Sequence, residues 1–310
     1  MSTVAAVLAL AVAMGIGVYL TAVLDALAGR VVAGGRLGLA ESLALPARRA
    51  ARLLVRPRAV TEHPDPEAWA LAPAALAGLA AVGLASIPLA PGLSVADVSA
   101  GIVLFGAAMA LVMVAVFLQG WAPNSAHPMI AGYRFAAQAL SYEMPLALVL
   151  IGAALPAESL SVGAIVESQA HLWNAIRQPL GMPLLLIAVA GLAFWGPLAL
   201  PEGEDLAGGT SAEVSGAARL AWRMARLMVL VAGAAMTAAV FLGGWHGPWL
   251  PGPAWSIVKT LAVLALLVWA RHRLVRVPIE RFVWVSWVVL IPLALLDVFL
   301  AGAQALWAAP

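Results

Sequence analysis

Long apolar runs broken by short polar turns dominate the pattern along this chain. A helix crossing ~30 Å of hydrocarbon needs about 20 mostly apolar residues. Eight stretches fit that length, roughly 3–28, 69–91, 98–120, 134–156, 180–200, 220–243, 255–270 and 282–306. They are continuously apolar, unlike the alternating strands of a membrane barrel. The pattern predicts an all-α integral membrane protein. Its fold is a bundle of about eight transmembrane helices forming one membrane domain over 1–310. The first run lacks a basic start, is too long for a signal-peptide core and precedes no cleavage-like site, so it is expected to stay as a span. Pro197 and Pro201 interrupt the end of the fifth run.

Composition agrees with the pattern. The 310 residues are 64% apolar and 10% charged, where soluble domains run at about 45–50% and about 25%. So few charges cannot coat a water-soluble globule, which excludes a soluble enzyme, a nucleic-acid binder and a disordered tail. The absence of cysteine excludes disulfides, thiolate metal sites and cysteine-ligated iron–sulfur clusters.

The net charge of +2 is less informative than its distribution. Arg30, Arg36, Arg48, Arg49, Arg52, Arg56 and Arg58 lie between spans one and two. Arg134 closes the loop between spans three and four. Arg219, Arg223 and Arg226 follow span five, and Arg271, Arg273, Arg276 and Arg281 join spans seven and eight. These are 15 of the 17 basic residues, all in alternate loops; only Arg177 and Lys259 fall on the other side. The positive-inside rule places the rich loops in the cytoplasm and both termini outside.

The first cytoplasmic loop, 29–68, is long. Within it, 39–56 places Arg49, Arg52 and Arg56 at helical spacing opposite Ala50, Leu53 and Leu54, which predicts an amphipathic helix in the interface. Two readings stand: an anchor on the lipid surface, or a docking face for a soluble partner through Arg48, Arg49, Arg52 and Arg56.

Acids at membrane depth are expensive and mark functional candidates. Glu143 lies inside the fourth run, with Gln138, Ser141 and Tyr142 as candidate hydrogen-bond partners and Pro145 expected to loosen the helix. A proton relay and a packing lock are both open for it. Asp25 and Asp297 are expected near span ends, within reach of the interface. Lys259 is expected to snorkel outward. After span five, Glu202, Glu204, Asp205 and Glu213 crowd into twelve residues, either as a proton funnel or as a solvated loop. The five histidines have no metal-ligand spacing, so no metal site is expected. Tryptophans near span ends fit an aromatic belt.

At 119–143 the chain reads Gln-Gly-Trp-Ala-Pro-Asn-Ser-Ala-His-Pro-Met-Ile-Ala-Gly-Tyr-Arg-Phe-Ala-Ala-Gln-Ala-Leu-Ser-Tyr-Glu. This resembles the H-type membrane subunit of bacterial NADH–quinone oxidoreductase, respiratory complex I, with its Gly-Trp, an Arg, Ala-Gln and Ser-Tyr-Glu in that order. Pro197, Leu200, Pro201, Glu202, Glu204 and Glu213-Val-Ser215 look like the family's acidic loop. Lys259-Thr260, Arg271, Arg276, Trp287 and Pro292 echo its last spans.

The resemblance implies a subunit that joins the hydrophilic electron-transfer arm to the proton-pumping membrane arm and forms the quinone chamber. The partners implied are iron–sulfur-containing hydrophilic-arm subunits, antiporter-like membrane subunits and the lipid bilayer of a bacterial inner membrane. No redox cofactor is expected within the chain, and quinone is expected at the interface with a partner. The proton path implied runs through Glu143, Glu202, Glu204, Asp205, Glu213 and Lys259, with Arg134, Asp25 and Arg30 at the quinone chamber or coupling region. Some family charges are replaced: Leu24-Asp25 stands where the family has Glu-Arg, Leu192 and Trp195 where it has a Glu and an Arg, and Val288 where it has a Lys. The homologous component of a membrane-bound hydrogenase or formate hydrogenlyase, without quinone, is one alternative. A stand-alone ion transporter and a purely structural anchor are the others.

Overall fold

The computed structural model describes residues 3–35, 38–96 and 98–308; Arg36 of the basic set lies outside them. The described residues form helices and no β-strand. In chain order these are α1 (Thr3–Val32), α2 (Leu39–Val55), α3 (Pro66–Ala85), α4 (Gly101–Ala110), α5 (Val112–Trp121), α6 (Ala126–Ala154), α7 (Val162–Glu167) and α8 (Asn174–Arg177). Then follow α9 (Gly181–Leu192), α10 (Gly216–Phe241), α11 (Gly252–Arg273), α12 (Ile279–Val285) and α13 (Ile291–Ala308). A π-helical turn over Ser286–Leu290 joins the last two into one long rod. Helices α4 and α5 also run on as one.

Local chemistry starts and packs these helices. Asp65 accepts a hydrogen bond from the Ala68 N–H at 3.0 Å, and Pro66 occupies the first turn of α3, where no N–H is needed. Helix α10 is the hub: 78% of its most apolar stretch is buried, against 22% for α1 and for the last rod. A helix apolar all round belongs inside, and half-bare apolar helices at the rim face lipid. Glycines allow close crossings of the kind that hold membrane helices together. Gly120 of α5 meets the backbone of α6 at Gly132, where an added Cβ would lie 3.0 Å from the Gly132 Cα.

Among the described residues, seven helices are long and apolar enough to span a membrane. The eighth expected span, at 180–200, is shorter than the sequence predicts. Helix α9 stops at Leu192, and Phe194 turns to φ 38°. Its twelve residues cover about 18 Å at ~1.5 Å each. Beyond it Pro197 and Pro201 lack the N–H that an α-helix would need. The chain instead makes four 3-10 turns, Gly196–Leu198, Leu200–Glu202, Glu204–Leu206 and Gly209–Ser211. The fourth span also differs: it begins at Ala126, so Arg134 sits two turns inside α6 instead of closing a loop.

The Arg-rich connections meet at one end of the bundle. The Ala59 N–H donates to Ser215 Oγ at 2.6 Å, and Thr61 Oγ1 donates to the Pro123 carbonyl at 2.6 Å. The Val277 N–H donates to the Pro197 carbonyl at 3.0 Å. Alternate loops therefore share a side, as the charge pattern requires. Helix α2 forms where the amphipathic stretch predicts it, and its Tyr19 contact, a hydroxyl donating to the Leu43 carbonyl at 2.5 Å, ties it to α1.

Candidate functional site

At the Arg-rich end, α1, α2, α10, the turn at 194–199 and the 271–276 segment enclose a cavity of about 400 Å³. Val18, Tyr19 and Leu53 supply apolar wall. Five arginines, Arg49, Arg223, Arg226, Arg271 and Arg276, face it together with two acids, Asp25 and Glu202. The cavity therefore has an apolar side and a strongly basic side.

The acidic loop is built into that basic side. Glu202 pairs with Arg226, whose guanidinium is held down on three sides. It lies 3.9 Å from the Phe194 ring centroid and donates from Nη2 to the Phe194 carbonyl at 2.9 Å. The strained φ of Phe194 is what presents both its ring and its carbonyl to one guanidinium. Ser211 Oγ donates to the other Glu202 oxygen at 2.5 Å. Asp25, on α1, forms an ion pair with Arg271 at 3.4 Å and lies 3.0 Å from His272 Nε2. Arg271 also stacks over Trp195 at 4.4 Å, and the Trp195 indole N–H donates to the Leu267 carbonyl at 3.0 Å.

Other loop acids reach α6. Arg134 pairs with Asp205 at 2.7 Å and donates to the Leu200 carbonyl at 3.3 Å. The hydrogen bond from Arg134 holds the Asp205 carboxyl below the usual aspartate range. Glu213 accepts from Ser125 Oγ at 3.1 Å, just before α6 begins. Glu204 is exposed. So Glu202, Asp205 and Glu213 are individually partnered instead of forming one open, mutually repelling cluster.

Several expectations change. Glu143 is half-buried on α6, and its Oε1 has no hydrogen-bond partner. None of its three candidate partners turns to it. Gln138 donates to the Gly191 and Leu198 carbonyls, Ser141 to the Ala137 carbonyl, and the Tyr142 hydroxyl has no partner. Pro145 leaves α6 unbroken. Lys259 does not snorkel: it is buried, donates to the His246 carbonyl at 2.6 Å and lies 4.5 Å from the Trp173 ring. It stands near α7 and α8, away from the acidic loop. Asp297 does not reach an interface either; it is 1% exposed. Arg30 pairs with Glu41 at 2.8 Å and braces the start of α2. Arg49 lines the cavity, while Arg48, Arg52 and Arg56 do not.

Residues 2–302 match the family described as NADH dehydrogenase. The chain belongs to this family. The H-type NADH-quinone oxidoreductase subunit (form 1) of Rhodopseudomonas palustris (strain BisB5) is 37% identical over 239 residues, covering 77% of this chain and 75% of the relative. The corresponding H-type NADH-quinone oxidoreductase subunit of Geobacillus kaustophilus (strain HTA426) is 33% identical over 279 residues, 88% of this chain and 83% of the relative. This member of the NADH dehydrogenase family is a multi-pass membrane protein by its seven long apolar helices. Its site contains residues that the sequence ties only to topology. Arg223 and Arg226 are spaced three apart, which puts them on one helix face; that spacing is the available signal for the cavity wall. Phe194 and Trp195 carry no such signal, because their role comes from a backbone turn.

Proposed function

We propose that this chain is the membrane subunit of a complex I-type oxidoreductase, linking an electron-transfer arm to proton-translocating subunits, with its cavity receiving the quinone. The Glu202–Arg226 pair at the cavity wall carries this reading. It puts an acid of the coupling loop against the space where the substrate would change charge. The relatives named above are subunits of quinone oxidoreductases, which favours quinone over a quinone-free hydrogenase role.

Reducing a quinone to a quinol takes two electrons and two protons. Iron–sulfur centres of a hydrophilic partner would supply the electrons, since this chain has no cysteine. The apolar wall suits the isoprenoid tail and the basic wall suits charge that develops on the head. As that charge appears, it competes with Glu202 for Arg226. A loosened Glu202 releases Ser211 and shifts the 3-10 turns. Arg134 carries the shift to α6, the helix that also bears Glu143. In this scheme Arg134 is a positioning residue, Glu143 holds the relayed proton, and antiporter-like neighbours take it onward. Arg48, Arg52 and Arg56 offer the basic face for the hydrophilic arm.

The test is Glu143→Gln in the assembled complex. Quinone reduction is expected to persist while protons moved per electron fall. A variant that assembles and pumps at the normal ratio overturns the scheme.

A further inference from the structure

Asp297, on α13, is buried at 1% exposure and its Oδ2 has no hydrogen-bond partner. Gln178 is buried to the same degree. Its Nε2 donates to the Gly152 carbonyl at 2.8 Å, and its Oε1 is left without a partner. The two orphan oxygens converge on one bare piece of backbone. A Cβ on Gly152 would lie 3.2 Å from Asp297 Oδ2 and 3.8 Å from Gln178 Oε1. Gly181, the first residue of α9, closes the other side: a Cβ there would lie 2.8 Å from Oδ2. Its backbone N–H donates to the Gln178 carbonyl at 3.1 Å, so the start of α9 offers the carboxyl its positive end and not a free donor. Two glycines thus make room for one carboxyl group and one amide oxygen.

Among the described residues, no cation answers a charge at this place. Helix α13 has no other ionisable residue, and α9 has none. On α6 the nearest is Glu143, nine residues back. The turn at 155–157 ends at Glu158, which is exposed. The π turn contains none, and Glu280 and Arg281 sit at the start of α12, exposed. Phe241 contacts this spot from α10, whose three arginines lie in its first half. Arg177 precedes Gln178, but its Nη2 donates to the Ser168 carbonyl at 3.0 Å. A carboxylate here would oppose a second acceptor oxygen with little water to screen either, an expensive arrangement.

We propose that Asp297 is a proton-binding site, with Gln178 Oε1 as the acceptor for the protonated form and the α9 N-terminus as the support for the ionised form. One proton on Oδ2 turns two facing acceptors into a donor–acceptor pair. Its release leaves a carboxylate at the positive end of α9. Each state therefore has a support, which suits a group that loads and unloads. The site lies nine residues beyond Glu143 along α6, about 14 Å at ~1.5 Å per residue. It does not depend on whether the cavity takes quinone.

Infrared difference spectra of the intact complex in membranes, taken between acid and alkaline buffers, test this directly. A protonated-carboxyl C=O stretch that shifts in D2O is expected, absent in Asp297→Asn and displaced in Gln178→Met. The band is expected to survive in Glu143→Gln, which separates this site from the relay proposed above. Should Asp297→Asn fail to assemble, the displacement in Gln178→Met still reads the hydrogen bond. A spectrum unchanged in both variants overturns the proposal. So does radioactive sodium binding that is lost in Asp297→Asn, which would make the ligand a metal cation.

Discussion

Glu202 and Arg226 meet across the cavity wall, and the pair is the junction between an otherwise rigid α10 and a loop made of 3-10 turns. Both side chains are mostly buried, at 20% and 13% exposure. Burial makes each a liability without the other.

Removing one partner is expected to be worse than removing both. Arg226→Met takes the partner from both the Glu202 carboxylate and the Phe194 carbonyl, a loss of about 3–5 kcal/mol for a broken buried pair. Adding Glu202→Gln to that variant recovers part of it. Thermal unfolding of the purified protein followed by tryptophan fluorescence reads the difference, since Trp222 is fully buried 5.9 Å from Phe194.

Asp205 gives a dependence on pH. Its carboxyl is held low by Arg134 in the fold, so the stabilisation is complete above the unfolded aspartate value and is lost as pH falls through the lowered one. Asp205 is 59% exposed, which limits the effect to the ~0.2–1 kcal/mol of a surface pair. Arg134→Ala is expected to remove that increment of acid sensitivity, seen as a flatter melting temperature against pH in the acid range.

Gly209 is a backbone requirement. At φ 54° it lies in left-handed space, and any Cβ would overlap the Pro201 carbonyl. Gly209→Ala is expected to displace the loop and to cost about 1–3 kcal/mol from the strained backbone alone. Proteolysis at residues 203–212 that appears only in the variant would register the displacement.

Filling the cavity separates binding from assembly. Ala50 faces the cavity from α2, a helix at the edge of the bundle. Ala50→Trp is expected to leave the assembled complex intact and to raise the KM for quinone about tenfold, or about 1.4 kcal/mol of lost binding. An unchanged KM places the quinone elsewhere.

The topology is legible in the sequence because lipid imposes long apolar runs and the few arginines have to sit between them. The short α9 is less so: apolar residues continue to Leu200, and only the backbone turn at Phe194 reveals that the helix ends earlier. The same limit applies to side chains. Asp297 looks peripheral when spans are counted by length. The rod continues from Ile279 to Trp307, however, and keeps Asp297 inside it, seven residues into α13. Lys259 looks free to reach water, yet the Trp173 ring and the His246 carbonyl give it a place inside. The partners expected for Glu143 fail because neighbours in sequence on a helix point to different faces.

The four 3-10 turns between Gly196 and Ser211 carry a kinetic consequence. Their i to i+3 bonds are few and poorly aligned compared with those of α6 and α10 on either side. Segments of this kind open without the rest of the fold. In deuterated water the amides of 196–212 are therefore the first of the buried backbone to take up label. The stretch that touches the cavity would stand out as a window in a bundle that is elsewhere closed.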